Sequence, residues 1–131
     1  MAKSTAHANA VLDALGGGTA MHAQTWISLH TADPATTGTG EVAGGSYARV
    51  RVNQDGITSP FWGSAAASAM TNSGAVAFPQ GGGDAVVTHF GIWDANAAGG
   101  FIRGGALDAS FTYGSTVTPE FANGAITLTE A

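Results

Sequence analysis

Short runs with an apolar residue at every second position fill the chain from Thr25 onward, and this period of two constrains the fold more than any other feature. In the first run Ile27 and Leu29 share one face, as they do in a half-buried strand. Glycine-rich or Asn-Gly turns separate the runs. The predicted strands are Trp26 to His30, Tyr47 to Val52, Ala75 to Phe78, Val86 to Trp93, Phe101 to Leu107, Val117 to Phe121 and Ala125 to Thr129.

Seven short strands joined by such turns predict an all-β fold, an antiparallel β-sandwich of jelly-roll-like type over residues 25–131. Val86 to Trp93 is apolar on both faces, which predicts the central strand. The long connections run from Thr31 to Gly45, from Asn53 to Met70 and from Pro79 to Asp84. Connections longer than about 12 residues usually either have a function of their own or are disordered.

A period close to 3.6 occupies the first 18 residues, which form a predicted N-terminal helical arm (1–18) of a single domain, 1–131. Ser4 or Thr5 is placed to cap this helix, and Gly16 to Gly18 ends it. The apolar residues on one helix face are Ala8, Val11, Leu12 and Leu15. Because so short a helix persists only when it docks, we expect it to pack on its own sheet or, alternatively, on a neighbouring subunit.

Charge is scarce, with 10% charged residues and a net charge of −5. The basic residues are Lys3, Arg49, Arg51 and Arg103. Nucleic acid and anionic membranes both require clustered Lys or Arg, so we expect no nucleic acid and no membrane as partners. Large apolar side chains are thinly spread among 20 glycines and 26 alanines, which predicts a thin, two-layered domain that neighbouring subunits help to stabilise.

Acid–base or metal chemistry would have to come from His22, His30 and His89 together with Asp33 and Asp94. Their spacing fits no zinc signature, and the chain has no cysteine. The glycine triplets lack the Lys-Ser/Thr of a phosphate loop, and no G-x-S-x-G motif occurs. We therefore expect no enzymatic activity, no metal and no cofactor, with His30 and His89 as half-buried, hydrogen-bonded strand residues.

Aromatic and arginine side chains, which interface cores favour, provide a candidate contact set. Tyr47, Arg49 and Arg51 alternate on the outward face of one predicted strand, and Phe61 and Trp62 lie in the long middle connection. The inward residues of that strand would be Ala48, Val50 and Val52. Two alternatives stay open: the aromatic pair anchors the connection to the sandwich, and the strand face is merely solvated.

A series of short motifs runs through nearly the whole chain. The most specific are S-L-H-T-A-D-P at Ser28 to Pro34, G-E-V at Gly40 to Val42 and G-G-S-Y-A-R at Gly44 to Arg49. More generic segments follow at Thr71 to Asn72, Val76 to Pro79, Val87 to Asp94, Gly99 to Gly100, Gly104 to Leu107 and Gly124 to Leu128. Together they resemble small tailed-phage virion proteins of the tail-fibre, minor tail and capsid decoration kinds. The segment Phe61 to Met70 departs from this pattern.

The resemblance implies a non-enzymatic virion structural protein. Our main hypothesis is a capsid decoration (cement) protein that binds the major capsid protein and bridges coat subunits on the outer head surface. The alternative is a tail-associated protein, minor tail or tail fibre, bound to other tail proteins. A carbohydrate-binding β-sandwich, with exposed Trp26 or Trp62 as its platform, is a second alternative. We expect a homo-oligomer, with a trimer as the working guess, in a virion assembled in the bacterial host cytoplasm, since no export signal is readable.

Overall fold

The computed structural model describes residues 2–15, 24–53 and 58–129, which form one helix and ten strands. The helix α1 spans Thr5–Leu15. The strands are β1 (Ala2–Lys3), β2 (Thr25–His30), β3 (Val50–Val52), β4 (Phe61–Trp62), β5 (Ala69–Ser73), β6 (Val76–Ala77), β7 (Ala85–Trp93), β8 (Phe101–Tyr113), β9 (Glu120–Phe121) and β10 (Thr127–Thr129). They pair antiparallel in a five-stranded sheet ordered β1-β8-β7-β2-β3, a three-stranded sheet β10-β5-β4 and the pair β6-β9. The predicted all-β, antiparallel sandwich is confirmed.

The strand β7 lies in the middle of the five-stranded sheet, as the sequence predicted. Ile92 pairs with Ile27 of β2 on one side and with Arg103 of β8 on the other. Val86 is an exception to the predicted burial of both faces, because its side chain is 53% exposed. The reason is the length of β2, which pairs with residues 89–93 and does not reach Val86.

The hydrophobic core lies between the five-stranded sheet and the two smaller sheets. Ile27 and Leu29 are fully buried, as their alternation predicted, and they cluster with Ile126 and Leu128 from the end of the chain. The buried Asn72 of β5 holds this end in place: its Oδ1 accepts a hydrogen bond of 2.9 Å from the Ile126 N–H. Apolar burial and a satisfied buried amide thus act on the same segment.

The N-terminal arm docks on its own sheet, which confirms the first of the two expectations for the helix. Ser4 caps α1, since its Oγ accepts a 3.1 Å hydrogen bond from the His7 N–H, and the same Oγ donates to the Phe101 carbonyl at 2.5 Å. These anchors lie in the first turn; Leu12, two turns further on, is 64% exposed and not packed as predicted. Gly16 to Gly18 fall outside the described residues. No described helix is long and apolar enough to cross a membrane.

The segment from Tyr47 to Trp62 differs from the prediction. The strand begins at Val50 and not at Tyr47, and Ala48, predicted to point inward, is exposed. The cause is the Tyr47 side chain, which turns inward and stacks on Phe78. Phe61 and Trp62 do not lie in a loop but form β4, which pairs with β5.

Candidate interaction surfaces

Around Pro34 and Gly38, the connection of residues 31–45 covers the face of the five-stranded sheet that carries Trp93 and Phe101, whereas Val42 of the same connection belongs to the core. The contact is close at Gly38, whose backbone has a φ of +79° and where a Cβ would lie 2.5 Å from the Trp93 ring. Only glycine fits both constraints. Gly91 of β7, which pairs with Ser28 of β2, leaves room for the side chains of His30 and Ser28. A Cβ at Gly91 would lie 2.6 Å from both the His30 Nε2 and the Ser28 Oγ.

A series of hydrogen bonds links residues 31–45 to the five-stranded sheet. The Trp93 Nε1–H donates to the Ser28 Oγ at 2.8 Å, the Ser28 hydroxyl lies 2.6 Å from the His30 Nε2, and the His30 Nδ1 lies 2.8 Å from the Thr39 carbonyl. Because a carbonyl only accepts, the His30 Nδ1 carries the hydrogen, and its Nε2 accepts from Ser28. Burial lowers the pKa of His30, although the hydrogen bond to Thr39 acts in the opposite direction. His30 is therefore a neutral structural residue near pH 7.

A second cluster is centred on Glu41. The Arg49 Nε and Nη2 donate to its two carboxylate oxygens at 2.8 Å each, and the Tyr47 hydroxyl donates to Oε2 at 2.6 Å. Burial alone would raise the pKa of Glu41, but these hydrogen bonds outweigh it and hold the pKa below its usual range. Burial and the adjacent Glu41 raise the pKa of Tyr47, so its hydroxyl stays protonated.

Arg49 also reaches the turn after β7. Its Nη1 donates to the carbonyls of Ala95 and Ala98, at 2.9 Å each. One guanidinium thus joins the covering connection to the β7–β8 turn through bidentate and charge-assisted hydrogen bonds, the stronger kinds in proteins. Five polar residues from the most specific sequence motifs thus stabilise the fold through these hydrogen bonds: Ser28, His30, Glu41, Tyr47 and Arg49.

The five residues of the predicted contact set differ widely in exposure. Arg51 is exposed and Phe61 and Tyr47 are half-buried, whereas the side chain of Arg49 is 6% exposed. Trp62 is 7% exposed, and its Nε1–H donates to the Thr25 Oγ1 at 2.9 Å. For Trp62 the structure therefore supports the alternative of an anchor to the sandwich. A contact role stays a prediction, and Arg51, Phe61 and Tyr47 are the members that are not buried.

The predicted carbohydrate platform loses Trp62 through this burial. Trp26 is half-buried beside a shallow depression lined by Gln24, Asp94 and Asn96, but its Nε1 is buried and lacks a hydrogen-bond partner among the described residues. A sugar hydroxyl could not reach that nitrogen without a rearrangement. The indole therefore offers at most a partial stacking surface.

The histidines and aspartates singled out in the sequence are engaged locally. His30 and His89 lie in strands and make hydrogen bonds, as predicted, with His30 fully and not half buried. Asp33 and Asp94 each accept a hydrogen bond from a backbone N–H of their own turn. His22 lies outside the described residues. Within residues 2–15, 24–53 and 58–129, no group of three or more potential metal ligands occurs.

An apolar groove of about 580 Å³ lies between the second half of β8 and the segment 117–127. The large apolar residues along it are Phe90, Leu107, Phe111, Val117, Phe121 and Ile126. Asp108 and Glu120 line it as well. The strand predicted from the sequence ended at Leu107, so the groove was not predicted. The available signal was the alternation of apolar residues, which continues through Ala109 and Phe111 to Tyr113.

Comparisons with known proteins add one finding. A family model described as "Podophage GP4 fiber I protein gp80" matches residues 2–129 of the chain. No curated protein matches the chain. The family match spans nearly the whole sequence and agrees with the resemblance to phage virion proteins, but its description names a fibre and not a capsid decoration.

Proposed function

We propose that this chain, which belongs to the podophage GP4 fiber I protein gp80 family, is a tail-fibre-associated structural protein that works by binding other proteins of its virion. The observation that carries the proposal is the family match over residues 2–129. Membership of a phage fibre family makes the chain a virion component. The tail-associated alternative is thus better supported than the capsid decoration hypothesis, which the family description does not favour.

The architecture supports a structural role. Polar residues that could have served a reactive site are instead engaged in structural hydrogen bonds. Ser28 and His30 bond to each other, His30 also bonds to the Thr39 carbonyl, and Glu41 accepts from Arg49, so that a long connection is tied to the sheet. Both ring nitrogens of His30 are occupied, which leaves no free base there. We therefore propose that the protein has no catalytic activity.

The charge distribution supports protein partners. Arg49 and Arg103 are buried, so Arg51 is the exposed cation among the side chains that the structure describes. A nucleic-acid surface needs several such cations on one face. We propose tail proteins of the same virion as the partners, together with self-association of the chain, for which a trimer remains the working guess.

Localisation on the particle tests the proposal. Purified virions carrying an epitope in the exposed Ser64–Ser68 turn of this protein would be labelled with gold-conjugated antibody and imaged. We expect label at the fibres. Label spread over the head surface would restore the decoration hypothesis, and particles without label, although the tagged protein is expressed and folded, would contradict a virion role altogether.

A further inference from the structure

The groove between β8 and the segment 117–127 combines two features that point to a protein ligand. Four of its large apolar residues are only partly buried by the domain itself, namely Leu107, Phe111, Val117 and Phe121. The groove is a concave surface with a volume of about 580 Å³. Partly buried large side chains in a concave surface gain stability when a partner covers them.

The β8 wall of this groove is irregular. Val87 pairs with Phe111 and His89 pairs with Ala106, so residues 107–110 lie opposite Thr88 alone. On the outer edge of β8, the described strand β1 pairs only with Arg103 and Gly104. Beyond Gly104, β8 therefore has no described strand on its outer edge, and that edge can pair with an extended segment lying along the groove.

The charge of the groove selects among possible occupants. Asp108 and Glu120 are both exposed, and none of the described residues that line the groove is basic. A second copy of the chain would bring a net charge of −5. Arg51, the exposed cation among the side chains that the structure describes, lies on β3 at the far side of the sheet from β8. Electrostatic complementarity therefore favours a different, cationic partner.

We propose that this groove is the docking site for an extended apolar segment that carries lysine or arginine and belongs to another protein of the same virion. The proposal rests on the proposed function and adds the site and the chemistry of the partner. Apolar side chains of the segment cover Leu107 and Phe111, and its cation pairs with Asp108 or Glu120.

Site-specific photo-crosslinking in intact virions tests this directly. A photoreactive benzoylphenylalanine would replace Ala109, which is exposed in the groove, and in a matched control Ala65, which is exposed outside it. We expect a covalent adduct with a second virion protein from position 109 and none from position 65. The crosslinked peptide, identified by mass spectrometry, should be apolar and contain at least one Lys or Arg.

A charge reversal provides an independent measurement. Asp108→Lys raises the net charge by two, and the pair Thr112→Lys with Thr118→Lys raises it equally at exposed positions outside the groove. Because like charges across an interface are strongly unfavourable, we expect Asp108→Lys to lower the copies retained per virion by about tenfold or more. The paired control should retain wild-type levels, and thermal unfolding of both variants should match the wild type.

Three results would overturn the docking site. An adduct with a second copy of this chain would make the groove a self-association surface. No adduct from position 109 in virions that contain the wild-type chain at their fibres would make it a solvent-facing groove and leave the proposed function intact. If the Asp108→Lys variant and the wild type are retained in equal copy number per virion, the partner is not a cationic segment that pairs with the acidic residues of the groove. Absence of the wild-type chain from virions would instead defeat both proposals.

Discussion

The guanidinium of Arg49 lies over the indole ring of Trp93, with its Cζ 3.8 Å from the ring centroid. The two residues are 44 positions apart in the sequence. The same guanidinium also donates a hydrogen bond to the Glu41 carboxylate. Arg49 thus makes a cation–π contact and an ion pair at the same time, and a substitution at this position removes both interactions.

Loss of Arg49 should therefore be costly. We expect Arg49→Ala to lower the free energy of unfolding by about 2–4 kcal/mol, because it leaves the partly buried Glu41 carboxylate without its cationic partner. Arg51→Ala, two positions away on the exposed face, should change it by no more than about 0.5 kcal/mol. Urea unfolding of both variants would measure this, and equal costs would show that the Arg49 cluster contributes nothing.

Acidification should weaken the fold through His30. Because burial lowers the pKa of His30 in the folded state, the unfolded chain binds more protons below its ordinary pKa of about 6.5. The contribution of neutral His30 to the free energy of unfolding is complete above about pH 6.5. It declines as the pH falls from that value towards the lower pKa of His30 in the folded state. Glu41, Arg49 and His89 are the charged or titratable groups that act on it.

The matching variant is His30→Gln, which keeps a donor and an acceptor but does not titrate. We expect it to be less stable than the wild type at about pH 7.5, with a flatter stability profile down to about pH 5.5. Chemical denaturation at several pH values would compare the two profiles. Parallel curves would exclude His30 as the source of the pH dependence.

Trp62 should behave as a core residue. Trp62→Ala should lower the free energy of unfolding of the isolated domain by about 3–5 kcal/mol, as large-to-small changes in cores do. Phe61→Ala, at a half-buried neighbour, should cost less, about 1–2 kcal/mol. If Trp62→Ala instead leaves the domain as stable as the wild type and detaches it from virions, Trp62 is a partner contact after all.

The central position of β7 gives the fourth prediction. Ile92 is 2% exposed, and Ile92→Ala should lower the free energy of unfolding by about 2–5 kcal/mol. Thr127→Ala, at an exposed position of β10, should stay within about 0.5 kcal/mol. Similar losses in thermal or urea unfolding at the two sites would contradict the burial assignment.

Sequence periodicity predicted the fold well where one face of a strand meets the core. Ile27, Leu29, Ile126 and Leu128 are inward, and β7 is central, because alternation reports burial directly. It failed at Tyr47, where a hydroxyl buried against Glu41 reverses the expected direction of the side chain. Alternation contains no information on such a tertiary hydrogen bond.

The candidate surface was harder to predict than the fold. Arg49 and Trp62 are residue types enriched in interfaces, but the same chemistry suits a buried cluster, and only the tertiary arrangement separates the two cases. The groove depends on an approach of β8 to the segment 117–127, with four residues of β8 opposite Thr88. No local pattern in the chain specifies that irregular register.

The pairing of Ile27 with Ile92 also sets an order of events during synthesis. The two residues are 92 − 27 = 65 positions apart, so at roughly 5–20 residues per second β2 leaves the ribosome about 3–13 s before its partner strand. β7 and β8, by contrast, are joined by the short turn 94–100 and can pair with each other at once. We expect this hairpin to form first and β2 to join it afterwards, so that folding of the five-stranded sheet waits for the last third of the chain.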